Sequence, residues 1–382
     1  MIKLSVFLML LSASLFAQPL NSVVVCGLPS GLIESSGLEQ DSDGNFWSHN
    51  DSGNEPVLYH FTAEGNLLNT VRVSNAENVD WEDITLGSAG VLFIADIGNN
   101  GNQRQNLKIY KINVENLIDG ENSRQAGEIT IHYENQGGFP PQDEFLNFDA
   151  EALVFRNDSL FIFTKNRTVP FTGITYQYSL PAEPGDYELS PDGSFSIQGG
   201  EAEARVTSGD LSPDGQLVLL TTTKIVIFQT TASRFLLQGD PAVMTIPDFS
   251  QKEAICWGNE ACTLYMTDEY IASLELGGKL YQAIICGPQT HDLYSEKVIL
   301  ARVFPNPAQD YVEIHLKKEG IKTKKYTLSL ISGTGIEVRN TVFPESGELK
   351  ININTLPSGI YNAIVFSTSQ FRRSFVLQIL PH

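Results

Sequence analysis

Three glutamates stand at the same place in a repeating pattern: Glu82 in Val79-Asp80-Trp81-Glu82-Asp83-Ile84, Glu151 in Asp149-Ala150-Glu151-Ala152-Leu153, and Glu253 in Glu253-Ala254-Ile255. Asp80 and Asp149 sit two residues ahead of the first two. Carboxylates drawn onto one ring repel each other, and a bound cation is the simplest relief. An all-oxygen donor set outside the cell suits calcium, so Glu82, Glu151, Glu253, Asp80 and Asp149 form the expected metal ring. Asp51, Asp96, Lys165, Asp268 and Glu269 follow the next apolar runs. Of these, Asp51, Asp96, Lys165 and Asp268 are the expected ligand contacts. In the competing use, the acids cap backbone amides of neighbouring segments or pair with Arg72, Lys165 or Arg167. An enzymatic use would make them metal ligands or acid/base groups, with His49, Lys165 or Arg167 holding an anionic substrate. A phosphoester or lactone would be that substrate, by analogy with the fold that the repeats below predict. No G-x-S-x-G nucleophile motif is present.

The elements that must carry these residues are short hairpins. Val79 to Asn100 has acids at both ends, two apolar runs and a turn at Gly87-Ser88-Ala89-Gly90, which predicts two strands joined by a glycine turn. The pattern recurs. Ser36-Gly37-Leu38 leads to Phe46-Trp47-Ser48-His49, Glu151-Ala152-Leu153 to Leu160–Thr164, Gly209-Asp210-Leu211 to Leu217–Leu220, and Glu253-Ala254-Ile255 to Leu264–Asp268. Starts roughly 44 to 69 residues apart are the spacing of propeller blades.

Outer strands follow each of the first four pairs, for example Val57–Thr62 with Leu67–Val73 and Leu107–Ile112 with Glu128–Tyr133. After the fifth pair only Lys279–Ile285 reads as a strand, so the missing one is expected from the other end of the chain, Asn21–Cys26. That closure leaves no open edge. The expected fold is all-β: a five-bladed β-propeller over 21–290, with six blades as the alternative, then a linker over 291–302 and a small Ig-like β-sandwich over 303–382. Trp47 and Trp81 are expected to pack between blades.

The chain of 382 residues has a formal charge of −20. That charge opposes nucleic acid or an anionic membrane as the main partner. It is uneven: residues 18–300 are acidic, whereas 301–382 carry net positive charge. Residues 1–17, with Lys3 ahead of an apolar run, have the layout of a signal peptide handled by the Sec translocon. The run is too short for a stable transmembrane anchor. Export makes disulfides the ordinary state of Cys26, Cys256, Cys262 and Cys286. The expected pairings are Cys256–Cys262 across one hairpin and Cys26–Cys286 across the closing seam.

The blocks Asn50-Asp51-Ser52-Gly53-Asn54, Val79–Ile84, Ala95-Asp96-Ile97-Gly98-Asn99-Asn100, Asp149–Leu153 and Val206–Gly215 resemble, in that order, the signatures of a family of secreted bacterial propellers. Asn99-Asn100 departs from the family's Gly-Asp-Asn, so a carboxylate is missing there. The resemblance implies the fold and supplies no reaction. Past Leu300, Phe304-Pro305-Asn306-Pro307, Leu356-Pro357-Ser358-Gly359-Ile360-Tyr361 and Phe375-Val376-Leu377 strongly resemble the C-terminal sorting domain of the type IX secretion system. That resemblance implies passage across the outer membrane of a Bacteroidota-type bacterium through the type IX machinery. The product is then secreted or attached to the outer-membrane surface, and it binds an extracellular ligand or partner or acts as the calcium-dependent hydrolase considered above.

Overall fold

In the computed structural model the described residues are 18–115, 122–247, 251–271, 276–285, 297–304, 308–319, 325–332, 337–344, 348–366 and 372–380. They fall into two compact units divided between Ile285 and Cys286.

The first unit is built from five antiparallel sheets. Blade I is Ser35–Gln40, Phe46–Asn50, Val57–Phe61 and Leu67–Val73, and blade II is Asp83–Leu86, Val91–Asp96, Lys108–Asn113 and Gly127–Tyr133. Blade III is Asp149–Arg156, Ser159–Lys165, Ile174–Pro181 and Pro191–Ser196; blade IV is Val206–Leu211, Gln216–Thr221, Lys224–Gln229 and Ala242–Thr245. Blade V takes three strands from Lys252–Trp257, Thr263–Asp268 and Lys279–Ile284, and its fourth, Ser22–Gly27, from the start of the chain. The expected closure by Asn21–Cys26 is therefore present, and the ring has five blades rather than six. Short parallel additions widen three blades: Ser123–Arg124 on blade I, Gly185–Leu189 on blade II and Gln18–Pro19 on blade IV.

Burial follows position within the blade. The second strand is buried almost throughout, as in Phe46–Asn50, because neighbouring blades cover both its faces. The outer strand Gly127–Tyr133 alternates, turning every other residue to solvent. Five apolar clusters fill the five gaps between blades: one around Trp47, Trp81 and Tyr110 joins I to II, and one around Leu38, Phe46 and Cys256 joins V to I. Trp81 is fully buried, as its expected packing role requires.

The inner strands share a device that sets the site. In blades I, III, IV and V the register slips by one residue near the start of the inner strand, leaving Gly37, Glu151, Thr207 and Glu253 as extra residues. In blade II, Glu82 and Asp83 both lie opposite Ala95, with Glu82 N donating to Ala95 O. Glu82, Glu151 and Glu253 thus all occupy β-bulges, which re-aim a side chain out of the pleat.

The cysteine pairings are corrected. Cys26 and Cys256 are free thiols, so neither Cys256–Cys262 nor Cys26–Cys286 forms. Cys256 lies opposite Tyr265 and points into the core between blades V and I, away from the turn that carries Cys262. Cys262 is not free, and Cys286 lies outside the described residues.

The second unit has two antiparallel sheets, one of Lys297–Phe304, Tyr311–Glu319 and Glu348–Asn352, the other of Glu337–Pro344, Lys325–Ser332, Gly359–Phe366 and Arg372–Ile379. Val312, Ile314, Leu328, Leu330, Ile351 and Leu377 meet in its core. Lys297–Phe304 pairs with Tyr311–Glu319, so the linker expected over 291–302 is strand from Lys297 onward.

Candidate functional site

Glu82, on its bulge, projects to the end of the ring where the inner strands begin. One ligand atom from each of Asp51, Asp80 and Glu82 fits within a 4.8 Å cluster, and the same holds for Glu82, Asp149 and Glu151. The two clusters share Glu82. Asp51 therefore joins the expected metal ring, while Glu253 stays outside both clusters. The approach depends on Gly98, because a Cβ there would collide with the Glu82 and Asp80 carboxylates.

Two cations answer part of this charge. Arg167 Nε donates to Asp149 Oδ2 at 2.7 Å and Arg167 Nη2 reaches Glu151 Oε1 at 3.3 Å. Lys165 Nζ forms an ion pair with the other Glu151 oxygen. Arg167 also meets Asn100 Oδ1, so Asn100 serves as an acceptor for this arginine. Asn99 N donates to Asp149 Oδ1 at 2.7 Å, and Asn99 Oδ1 accepts from the amides of Gln103 and Arg104. Arg72 pairs instead with Glu55.

Glu82 is left out of this compensation. It is 5 % exposed, and among the described residues no protein group donates to its carboxylate, whose oxygens are not among the fully enclosed unpartnered atoms. Burial, then the charges of Glu151, Asp51, Asp149 and Asp80, push its pKa well above the usual range. Burial and then Asp51 and Asp149 raise Asp80 to about 6. Glu269 is raised to about 7, first by burial and then by Glu253, Asp51 and Glu34. Glu151 and Glu253 are raised chiefly by burial, against the opposing pull of Lys165. Burial alone would lower Lys165, but Glu151, Glu253, Asp149 and Glu82 together hold it above its ordinary value.

The remaining expected contacts are dispersed. Asp96 is buried and braces the rim from behind: its Oδ1 accepts from Asp80 N at 3.0 Å and from Arg104 Nη2 at 2.8 Å. Asp268 is fully buried inside blade V, accepting from Tyr281 Oη at 2.6 Å and Lys279 N at 2.9 Å, with Lys252 Nζ 3.7 Å away. It is a structural acid, because the strand pairing Lys252↔Asp268 encloses it in its own blade. His49 is also corrected. It is fully buried edge-on to Trp81, and burial lowers its pKa to about 4, so a neutral imidazole occupies the place expected for an anion-binding group.

A second acidic group lies further along the inner strands. Asp83, next to Glu82, is fully buried and accepts from Leu153 N at 3.0 Å, Gly209 N at 3.2 Å, Ser208 Oγ at 3.2 Å and its neighbour Ile84 N at 3.0 Å. It therefore ties blade II to blades III and IV. Glu39 Oε1 accepts from Leu86 N of blade II at 2.9 Å, and Asp210 Oδ2 from Trp257 N of blade V at 2.7 Å. Burial, with the charges of Asp210 and Asp83, raises Glu39 strongly, and burial raises Asp210 to about 6. Glu39, Asp83 and Asp210 did not stand out as a group in the sequence. The signal available was strand alternation, which turns Asp83 away from the direction of Glu82.

The family described as the secretion system C-terminal sorting domain matches residues 302–377. This tail marks the protein as secreted through the type IX system and associated with the cell surface or outer membrane. No curated protein matches. Among solved structures, a regucalcin from Agrobacterium tumefaciens described as a calcium-binding protein aligns at 13% identity and TM-score 0.40, over 70% of this chain and 94% of that one. A chain described as a gluconolactonase aligns at 12% identity and TM-score 0.38, over 70% and 93%. One described as the extracellular domain of a hybrid two-component system from B. thetaiotaomicron aligns at 14% identity and TM-score 0.32, over 91% of this chain and 50% of its own length. This chain thus spans about half of that relative. These are distant likenesses, and the propeller rests on the five sheets themselves. No helix among the described residues is long and apolar enough to cross a membrane.

Proposed function

We propose that the propeller holds a divalent cation, calcium by donor type, at the rim formed by Asp51, Asp80, Glu82, Asp149 and Glu151, and binds an extracellular ligand or partner there. The observation that carries this reading is the Glu82 carboxylate, buried without a donor between two acid clusters. A buried carboxylate in that state takes up either a proton or a cation. Oxygen donors at these separations suit calcium, whose coordination is flexible and purely oxygen-based. Calorimetric titration of the mature chain with calcium, run beside thermal unfolding, tests this: binding and a rise in Tm are expected, both lost in Glu82→Gln. Absence of both in the parent chain would overturn it.

A hydrolytic role is the second reading: burial and then the charges of Glu253, Asp51 and Glu34 raise the Glu269 carboxyl to about 7, the range of a general base working near neutral pH beside the rim. The substrate would be a phosphoester or a lactone. Turnover of a phosphoester or lactone panel that persists unchanged in Glu269→Gln would sink that role. We read the C-terminal unit as an Ig-like sandwich that engages the type IX machinery after residues 1–17 have directed the chain through the Sec translocon. Deleting 303–382 is expected to hold the propeller in the periplasm, and surface delivery without them would count against this assignment.

A further inference from the structure

We infer that a cavity beside the acidic rim, between segments 134–148 and 166–176 of the propeller, is a binding site for a neutral glycan. The cavity measures about 510 Å³, within the roughly 300–1,000 Å³ range of small-ligand sites. Its walls are tied together before any ligand arrives. Arg167 N donates to Leu146 O and Val169 N to Asp143 O, each at 2.9 Å, while Asn147 Nδ2 donates to Ile174 O at 2.8 Å and Asn147 Oδ1 accepts from Thr164 Oγ1 at 2.7 Å. A preformed site loses little to ordering when it binds.

The lining identifies the ligand's chemistry. Phe145 and Tyr176 supply ring surface, while Phe148 is a core residue that closes the wall. Asn135 and Gln142 supply amides, and among the described residues the Gln142 amide and Asn135 Nδ2 have no hydrogen-bond partner. Among the described residues, Glu144 is the one charged residue in the wall, and no lysine or arginine lines it. An anionic ligand would find no counter-charge here and would meet the negative field of the rim. Flat apolar faces with amide donors and acceptors match a sugar, whose C–H face packs on a ring while its hydroxyls bond at the edge. The surroundings point the same way. Phe145 is 62 % exposed and Val169 60 %, with Phe139 of the same loop 48 % exposed, which leaves apolar surface around the opening uncovered.

This inference stands apart from the cation site, and its test separates the two. The full mature chain is applied to an array of neutral and acidic glycans, with and without a calcium chelator. Retention of neutral glycans is expected, falling tenfold or more in Phe145→Ala and in Gln142→Ala and unchanged by chelation or by Glu82→Gln. Both cavity substitutions are at exposed positions, and circular dichroism confirms that the variants fold. An array without neutral binders overturns the inference, as does binding that survives Phe145→Ala and Gln142→Ala combined. Neutral-glycan binding abolished by chelation or by Glu82→Gln would place the sugar on the acidic rim and overturn the cavity as its site.

Discussion

Glu82 and Asp83 are neighbours in the chain and both are buried, but they belong to two regions with opposite economies. At the rim, Glu82 sits among like charges with no donor on its carboxylate. Further along the inner strands, Asp83 accepts four hydrogen bonds and holds three blades together. The contrast shows that burial of an acid says little until its donors are counted. An acid that is fully bonded stabilises the ring, whereas one left without donors is held there at a cost that a ligand can remove.

The largest expected effect comes from breaking the second acidic group, further along the inner strands. Asp83→Asn turns an amide donor toward the Leu153 and Gly209 amides, and a loss of about 2–4 kcal/mol is expected from urea unfolding. A loss below about 0.5 kcal/mol would show that Asp83 does not bind the blades together. Next comes Glu82→Gln, which is expected to weaken calcium binding tenfold or more by calorimetry while leaving the cation-free protein as stable as the parent or more so. Strong destabilisation would place Glu82 in the same class as Asp83 and erase the comparison.

A third test uses pH. Asp80, at about 6, and Glu269, at about 7, are raised above their unfolded values near 4, so the folded state binds more protons between those limits. Their contribution to stability is fully present below pH 4 and is lost as pH rises through 6 and 7. Cation-free protein is therefore expected to have a higher Tm at pH 5 than at pH 7.5, and saturating calcium is expected to shrink the difference. A Tm that rises between these values in chelator, with no effect of calcium, would contradict the rim electrostatics. The smallest effect is expected from Gly98→Ala, whose Cβ presses on Glu82 and Asp80. A several-fold loss of calcium affinity with little change in unfolding would sharpen the boundary between the two regions.

Much of this molecule was legible in the sequence. The repeated hairpins marked the blades, the shortage of strands after Lys279–Ile284 pointed to the start of the chain for closure, and Glu82, Glu151 and Glu253 stand at equivalent places in their blades, although Glu253 stays outside both acid clusters. What stayed hidden depends on direction. Asp268 has the sequence setting of a rim acid, yet its pairing with Lys252 draws it into blade V. His49 lies one residue from the end of its strand, close enough to the loops to suggest a role there, but Trp81 from the next blade covers it. The cysteine spacing suggested a hairpin staple, although side-chain alternation sends Cys256 into the core.

By itself the sequence determined the five repeats, the acids available to the inner strands and the type IX tail, because these follow from local apolar patterning and short motifs. Tertiary structure alone decided which acids are compensated. Asp83 finds its donors 70 and 126 residues away in blades III and IV, and Glu82 meets Glu151 from the next blade. Desolvation and charge coupling depend on distances in space across the ring, and no local pattern in the chain records them.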